Sequence, residues 1–160
     1  MQKLYLVIPC YNEEEVLPET SKQLRAKMET LMAAGKISKE SRIVFVNDGS
    51  KDRTWEIIES LHKENLLFQG IKLSRNKGHQ NALLAGLMTV KEHCDMAISM
   101  DADLQDDIDA IDGMLEKYAE GCDIVYGVRN ARDTDTAFKR KTAEGYYKVM
   151  RLLGADIVYN

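Results

Sequence analysis

Short apolar runs that each empty into a polar cluster, and then into a stretch of helical periodicity, constrain this chain more than anything else in it. Residues 3–8, 42–46, 70–74 and 123–128 are β-branched or apolar runs of strand length, and Met96, Ala97, Ile98 and Met100 make another that reads as a buried strand. Between them lie helical patterns. Leu17, Leu24, Met28, Leu31 and Met32 mark a helix from about Pro18 to Ala34, stopped by Gly35. Trp55, Ile58 and Leu61 mark a second, capped by Ser50 or Asp52, and Ala82, Leu83, Gly86, Leu87 and Val90 a third. A fourth runs from about Asp107 to Glu120 and a fifth from about Ala137 to Leu153. No two strands are joined by a hairpin signal. Strict alternation of this kind dictates a mostly parallel, twisted α/β sheet with helices on both faces. Ligands of such sheets bind beyond the carboxyl ends of the strands. The clusters Tyr11–Glu13, Asn47–Ser50, Arg75–Gln80 and Asp101–Gln105 all follow strands, so they converge on one edge.

Composition removes several classes. With 160 residues and 44% hydrophobic side chains, the chain is long enough for one α/β domain with a real core. A net charge of −4 argues against a general nucleic-acid binder. Cys10, Cys94 and Cys122 are odd in number and widely spaced, which suits reduced, buried thiols in the cytoplasm rather than disulfides or zinc. No run is long and apolar enough to span a bilayer or act as a signal peptide. The charge is uneven, however. From Arg129 to Arg151 seven basic residues face three acidic ones, leaving −8 on the remainder. On the helix from Ala137 to Leu153, Phe138, Tyr146, Val149, Met150, Leu152 and Leu153 fall on one side. Arg140, Lys141, Lys148 and Arg151 crowd the other, a pattern shared by an ordinary helix packing its apolar face on the sheet and by a peripheral membrane contact.

The chemistry concentrates after the run ending at Met100. Asp101 and Asp103 are two residues apart at a strand exit, so they point the same way and repel unless a cation or proton lies between them. Mg²⁺ is commonly held by one or two carboxylates plus substrate phosphates, which suggests a metal–diphosphate site. The competing reading makes the aspartates ordinary helix caps. Tyr11 offers an aromatic face to a base, and Asn12 and Glu13 offer hydrogen bonds, although Glu13–Glu15 equally suit a helix start. Asp48 can accept from a nucleobase N–H or serve as a turn aspartate. Arg75 and Arg129 can pair with phosphates. His79 offers a candidate proton carrier, but a lone histidine at a helix start is usually not a catalyst. There is no GxGxxG after the first strand, and Lys77-Gly78 is not a Walker loop.

Taken together, three segments resemble the family 2 inverting glycosyltransferases, in order and in spacing. They are Val7-Ile8-Pro9-Cys10-Tyr11-Asn12-Glu13-Glu14, Val46-Asn47-Asp48-Gly49-Ser50-Lys51-Asp52-Arg53-Thr54 and Met100-Asp101-Ala102-Asp103-Leu104-Gln105. Residues 73–80 (LSRNKGHQ) and 123–129 (DIVYGVR) are similar to the polyprenyl-phosphate members, the group with dolichol-phosphate mannosyltransferase and bactoprenol glucosyltransferases. The resemblance implies a Rossmann-like GT-A fold. It also implies a UDP- or GDP-sugar donor, Mg²⁺ or Mn²⁺, and a lipid-phosphate acceptor at the cytoplasmic face of a membrane. By that resemblance Pro9, Tyr11, Glu13, Val46 and Asp48 hold base and ribose, with Asn12, Arg75 and Gly78 in the same donor site. Asp101 and Asp103 carry the catalysis and bind metal with Gln105, Ala102 lies on the diphosphate, and Arg129 meets the phosphates. Two positions depart from the family pattern. Asn47 stands where aspartate is commoner, and Asp106-Asp107 replaces His-Pro-Pro. Family members also continue well past residue 160. Residues 1–160 are therefore expected to be the nucleotide-sugar-binding part, truncated on the C-terminal side, with acceptor residues and any membrane helices beyond.

Two rivals are weaker. In a haloacid-type phosphatase the Asp-x-Asp opens the domain and a threonine soon follows, whereas Asp101 comes late and has none. A non-catalytic nucleotide-sugar-binding module would bind donor without turnover.

Overall fold

The computed structural model describes residues 1–127. Its elements, in order, are β1 (Leu4–Cys10), α1 (Leu17–Ala33), β2 (Arg42–Asn47), α2 (Thr54–Glu64), β3 (Phe68–Lys72), α3 (His79–Val90), β4 (Met96–Ser99) and α4 (Ala110–Ala119). The four strands form one parallel sheet in the order β3-β2-β1-β4. The sheet and α1 to α3 belong to a compact unit, Met1–Ile108, while α4 belongs to a second that starts at Asp109.

Side-chain alternation along the strands decides which helix covers which face. Val7, Val44 and Val46 share a buried cluster with Ala82 and Val90 of α3. Gly86 lets α3 lie flat there, because a Cβ on it would sit 2.5 Å from a Val7 methyl and 2.7 Å from a Val46 methyl. The opposite face carries Phe45, stacked on Phe68 with centroids 6.1 Å apart, and Gly70, whose missing side chain admits Ile58 and Trp55 of α2. Helices therefore cover both faces. On α1 the buried positions Leu17, Thr20, Ser21, Leu24, Met28 and Leu31 make one stripe. Its end is a Schellman turn. Gly35 at φ +70° lets Lys36 N–H reach the Leu31 carbonyl (3.0 Å) and Gly35 N–H the Met32 carbonyl (3.1 Å).

The structure revises several sequence boundaries. Pro9 does not stop β1, which runs through it to Cys10. The Val7 carbonyl accepts from Met100 N–H on the β4 side, so Pro9, two residues on, turns its nitrogen the same way, where the β4 ladder has already ended at Ser99. No ladder bond is lost, and pairing with β2 continues through Cys10, whose carbonyl accepts from Asp48 N–H (2.8 Å). β3 lies two residues earlier than its apolar pattern suggests. β4 was expected to be buried, yet it pairs only with β1 among the described residues, and Ala97 and Ser99 are exposed. Residues 123–127, the described part of the last expected strand, form no strand, and Ile124 and Tyr126 are 72% and 80% exposed. Among the described residues no helix is long and apolar enough to cross a membrane.

Candidate functional site

The loops after β1 and β2 are zipped together by their own polar side chains. Asn12 donates its backbone N–H to Ser50 Oγ (3.0 Å), and its side-chain oxygen accepts from Lys51 N–H (2.8 Å). Glu13 N–H donates to Thr54 Oγ1 (2.8 Å), Glu14 N–H to Asp52 (3.1 Å), and Arg53 N–H to the Glu14 carboxylate (2.9 Å). Asn12 sits at φ +57°, a conformation its short polar side chain tolerates. Asp52 also accepts from the N–H (3.0 Å) and hydroxyl (2.6 Å) of Thr54, the first residue of α2, although the N-cap position itself is Arg53. Those bonds hold its carboxyl below the usual range, against the opposing effect of burial.

The β2 and β3 loops are joined by Asp48, which is 2% exposed. Its two oxygens accept from the backbone N–H groups of Lys77 (2.6 Å) and Gly78 (2.9 Å). Gly49, at φ +68°, lies against the Arg75–Asn76 backbone so closely that a Cβ would be 2.5 Å from the Arg75 carbonyl carbon. Beneath them Asn47 is fully buried. Its side-chain oxygen accepts from Ser50 N–H (3.1 Å), but its amide nitrogen finds no partner.

The β4 loop closes the arrangement. Thr20 of α1 donates its hydroxyl to the Ala102 carbonyl (2.6 Å), pinning the residue between the two aspartates while both of these stay exposed. Gln105 N–H donates to Asp103 (3.0 Å), and Leu104 takes φ +57°, an uncommon conformation for a bulky residue. Asp101 and Asp103 line a cavity of about 290 Å³ with Pro9, Glu13, His79 and Ala102. His79 Nε2 is 3.7 Å from Asp101 Oδ1. Partial burial, then the charges of Asp103, Asp52 and Asp101, push the Glu13 carboxyl above its usual range.

Three carboxylates around one opening repel one another, and oxygen donors of this kind suit a hard divalent cation. Among the described residues no three or more His, Cys, Asp or Glu side chains close into a metal cage. The donor set therefore fits an ion that takes one or two carboxylates and completes its shell with phosphate and water.

Hydrogen bonds join the first three polar clusters, and the fourth meets them across the cavity and the 3.7 Å His79–Asp101 approach, but not every candidate reaches the surface. Pro9 floors the cavity, Glu13, Asp101 and Asp103 face it, and Tyr11 stands 40% exposed. Arg75, Gly78 and Gln105 are exposed. Val46 is fully buried with its side chain against α3, which leaves its backbone as the part at the edge. Asp48, read as a base acceptor, has both oxygens engaged by backbone N–H groups. Ala102 is 4% exposed. Arg129 and the helix from Ala137 to Leu153 lie outside the described residues. Thr20 escaped the sequence reading, though a threonine within the apolar stripe of α1 was a signal of a buried hydroxyl needing a partner. His79, set aside as a lone histidine, belongs to the cavity wall.

Comparison with known proteins gives the chain its family. The chain is 53% identical over 157 residues to the uncharacterized glycosyltransferase YkoT of Bacillus subtilis (strain 168), covering 98% of this chain and 47% of that protein. It is 39% identical over 175 residues to a prophage bactoprenol glucosyl transferase homolog of Escherichia coli (strain K12), covering 99% of this chain and 54% of the other. It is 42% identical over 149 residues to the bactoprenol glucosyl transferase of Shigella phage SfV, covering 92% and 45% respectively. The chain thus spans about half the length of the curated relatives it matches. Among solved structures, S. aureus TarS 1-349 in complex with UDP-GlcNAc superposes with a TM-score of 0.56 at 20% identity, over 86% of this chain and 38% of that one. That likeness speaks for the fold, the open GT-A-type sheet expected from the sequence. Residues 5–158 match the family described as glycosyl transferase family 2, and the chain belongs to it.

Proposed function

We propose that residues 1–160 are the donor-binding part of a metal-dependent, inverting glycosyltransferase that moves a sugar from a UDP- or GDP-sugar to a polyprenyl phosphate or another cell-envelope glycan acceptor. One observation carries the reading: Asp101 and Asp103 share a cavity with Glu13 and His79 at the carboxyl edge of the sheet, where segments following β1, β3 and β4 meet. The names of two of the relatives, both bactoprenol glucosyl transferases or homologs of one, favour the lipid-phosphate acceptor.

In this reading Tyr11 stacks on the base, and Asp48 holds the β3 loop so that Arg75 and Gly78 border the phosphates. Asp101 and Asp103, with Gln105, hold Mg²⁺ or Mn²⁺, which when bound neutralises the charge that grows on the departing diphosphate. Thr20 keeps the two aspartates splayed toward the cavity through Ala102. Transfer is a single displacement: the acceptor oxygen bonds to the anomeric carbon as the bond to the nucleoside diphosphate breaks, inverting the centre. A lipid phosphate is already anionic near neutral pH, so no residue of this chain need act as its base. Arg129 adds to the phosphate site, and the basic residues Arg140, Lys141, Lys148 and Arg151 meet anionic lipid. Each Lys or Arg near such a surface contributes roughly 1 kcal/mol, screened by salt.

Calorimetric titration with UDP and GDP, each with Mg²⁺, Mn²⁺ or a chelator, tests the donor site. Nucleotide binding that needs the metal is expected. Binding indifferent to the chelator would remove the metal role, and no binding of either nucleotide would remove the donor site.

A further inference from the structure

Among the described residues β3 is an edge of the sheet, with β2 as its one neighbour. Ile43 N–H donates to the Leu67 carbonyl and Leu73 N–H to the Asn47 carbonyl (both 2.9 Å), so the odd-numbered residues of β3 turn their backbone groups toward β2. Phe68, Gly70 and Lys72 therefore turn theirs outward. Phe68 is already satisfied there. Its N–H reaches the Asn65 carbonyl (3.0 Å), and its carbonyl accepts from His62 Nδ1–H (2.7 Å). Gly70 and Lys72 are exposed, and their N–H and C=O groups stay open along the edge. Such an edge is a template for another strand unless something blocks it. The charge of Lys72 does not, because its Nζ lies over the Trp55 ring, 5.0 Å from the centroid. A groove between α2 and β3 runs beside the open stretch, with Trp55, Ile58 and Glu59 on its wall next to Gly70.

We propose that a second copy of this chain adds to this edge, β3 antiparallel to β3, about a two-fold axis through Ile71. Elimination fixes the register. Lys72 against the partner's Lys72 would set like charges directly opposite. Gly70 against the partner's Gly70 would need the backbone groups of Phe68, which Asn65 and His62 occupy. Gly70 against the partner's Lys72 remains, and each such pair exchanges both of its N–H···O bonds. The side chains suit that register. On one face Ile71, half-buried against the α3 cluster, meets the partner's Ile71 at the axis. On the other face the partner's Lys72 crosses Gly70, which has no side chain to obstruct it, and comes level with Glu59. Lys63, the groove's own cation, lies one turn further along α2. The axis repeats the Lys72–Glu59 approach, so the surface is complementary to itself. β1 and β4 stand on the far side of β2, so the pairing leaves the acidic cavity open and does not rest on the donor-site reading.

A five-residue edge is a small interface, so association is expected to be weak and concentration-dependent. The test is sedimentation equilibrium of the 160-residue chain at low salt, up to about 1 mM, where a dimer is expected. Lys72→Glu and Glu59→Lys each set like charges together and should each weaken self-association about tenfold or more. An equimolar mixture of the two variants puts opposite charges together at both contacts, and should recover the parent's affinity to within about threefold. Lys72→Pro removes an outward N–H without costing a bond to β2, and should leave a monomer with an intact melting transition. A parent chain that stays monomeric would overturn the inference. So would a dimer that all three variants leave unchanged, or a mixture that associates no better than its components.

Discussion

Replacing Thr20 by Val isolates one bond between the helical scaffold and the paired aspartates. Thr20 is fully buried, and its hydroxyl lies 2.6 Å from the Ala102 carbonyl, 82 residues away. That hydroxyl is also 3.0 Å from the Val16 carbonyl, but it has a single proton, and the shorter contact takes it. Val16 loses little, because its carbonyl still accepts from Thr20 N–H (3.0 Å) and Glu19 N–H (3.1 Å). Ala102 is 4% exposed, so its carbonyl loses a donor where water scarcely reaches. Stripping a partner from a buried polar group costs about 1–3 kcal/mol, and the added methyl returns up to ~0.8 kcal/mol. A net loss of about 1–2 kcal/mol corresponds to a Tm drop of roughly 2–8 °C for a chain of this size. Nucleotide affinity in Mg²⁺ should fall too, because the residue between Asp101 and Asp103 is no longer pinned. Thr20→Ser, which keeps the hydroxyl, should recover most of the affinity. Scanning calorimetry and titration of the two variants decide it. A Thr20→Val protein with an unshifted Tm and unchanged nucleotide affinity would show that the hydroxyl does not position the loop.

Three further outcomes are expected. Asp103→Asn should abolish most metal-dependent nucleotide binding with Tm nearly unchanged, since the side chain is exposed; titration with intact metal-dependent affinity would mean the aspartates are only caps. Gly49→Ala should destabilise by more than ~1 kcal/mol in denaturant melts, because φ +68° and the Arg75–Asn76 backbone both oppose a Cβ; a neutral result would contradict that packing. Glu13 has a carboxyl raised by burial and then by Asp103, Asp52 and Asp101, so it binds its proton more tightly folded than unfolded. The stability this gives is present below the unfolded pKa and is lost as pH rises through the folded one. In chelator-treated protein Glu13→Gln should therefore raise Tm at neutral pH and have little effect at about pH 4. A shift of the same size at both would exclude the electrostatic cause.

The sequence by itself determined the class of fold, its parallel sense and the edge on which the chemistry gathers. These follow from local periodicity and from the rule that helical crossovers return parallel strands to one sheet, and neither needs distant contacts. It also carried the candidate metal ligands, because Asp101 and Asp103 at a strand exit constrain each other through two residues of backbone. The tertiary structure alone decided the rest. Val46 and Asp48 sit two residues apart in the chain, yet one ends under α3 and the other between loops, because a valine packs where Gly86 leaves room and a carboxylate is drawn to free N–H groups. Pro9 reads as a strand stop until its neighbours show that its nitrogen faces the end of a ladder. Thr20 and Ala102 meet across 82 residues, and His79 meets Asp101 across 22, through distances no local pattern encodes. Chain sterics write secondary structure locally, but a hydrogen-bond partner is set by whatever the folded sheet brings within 3 Å.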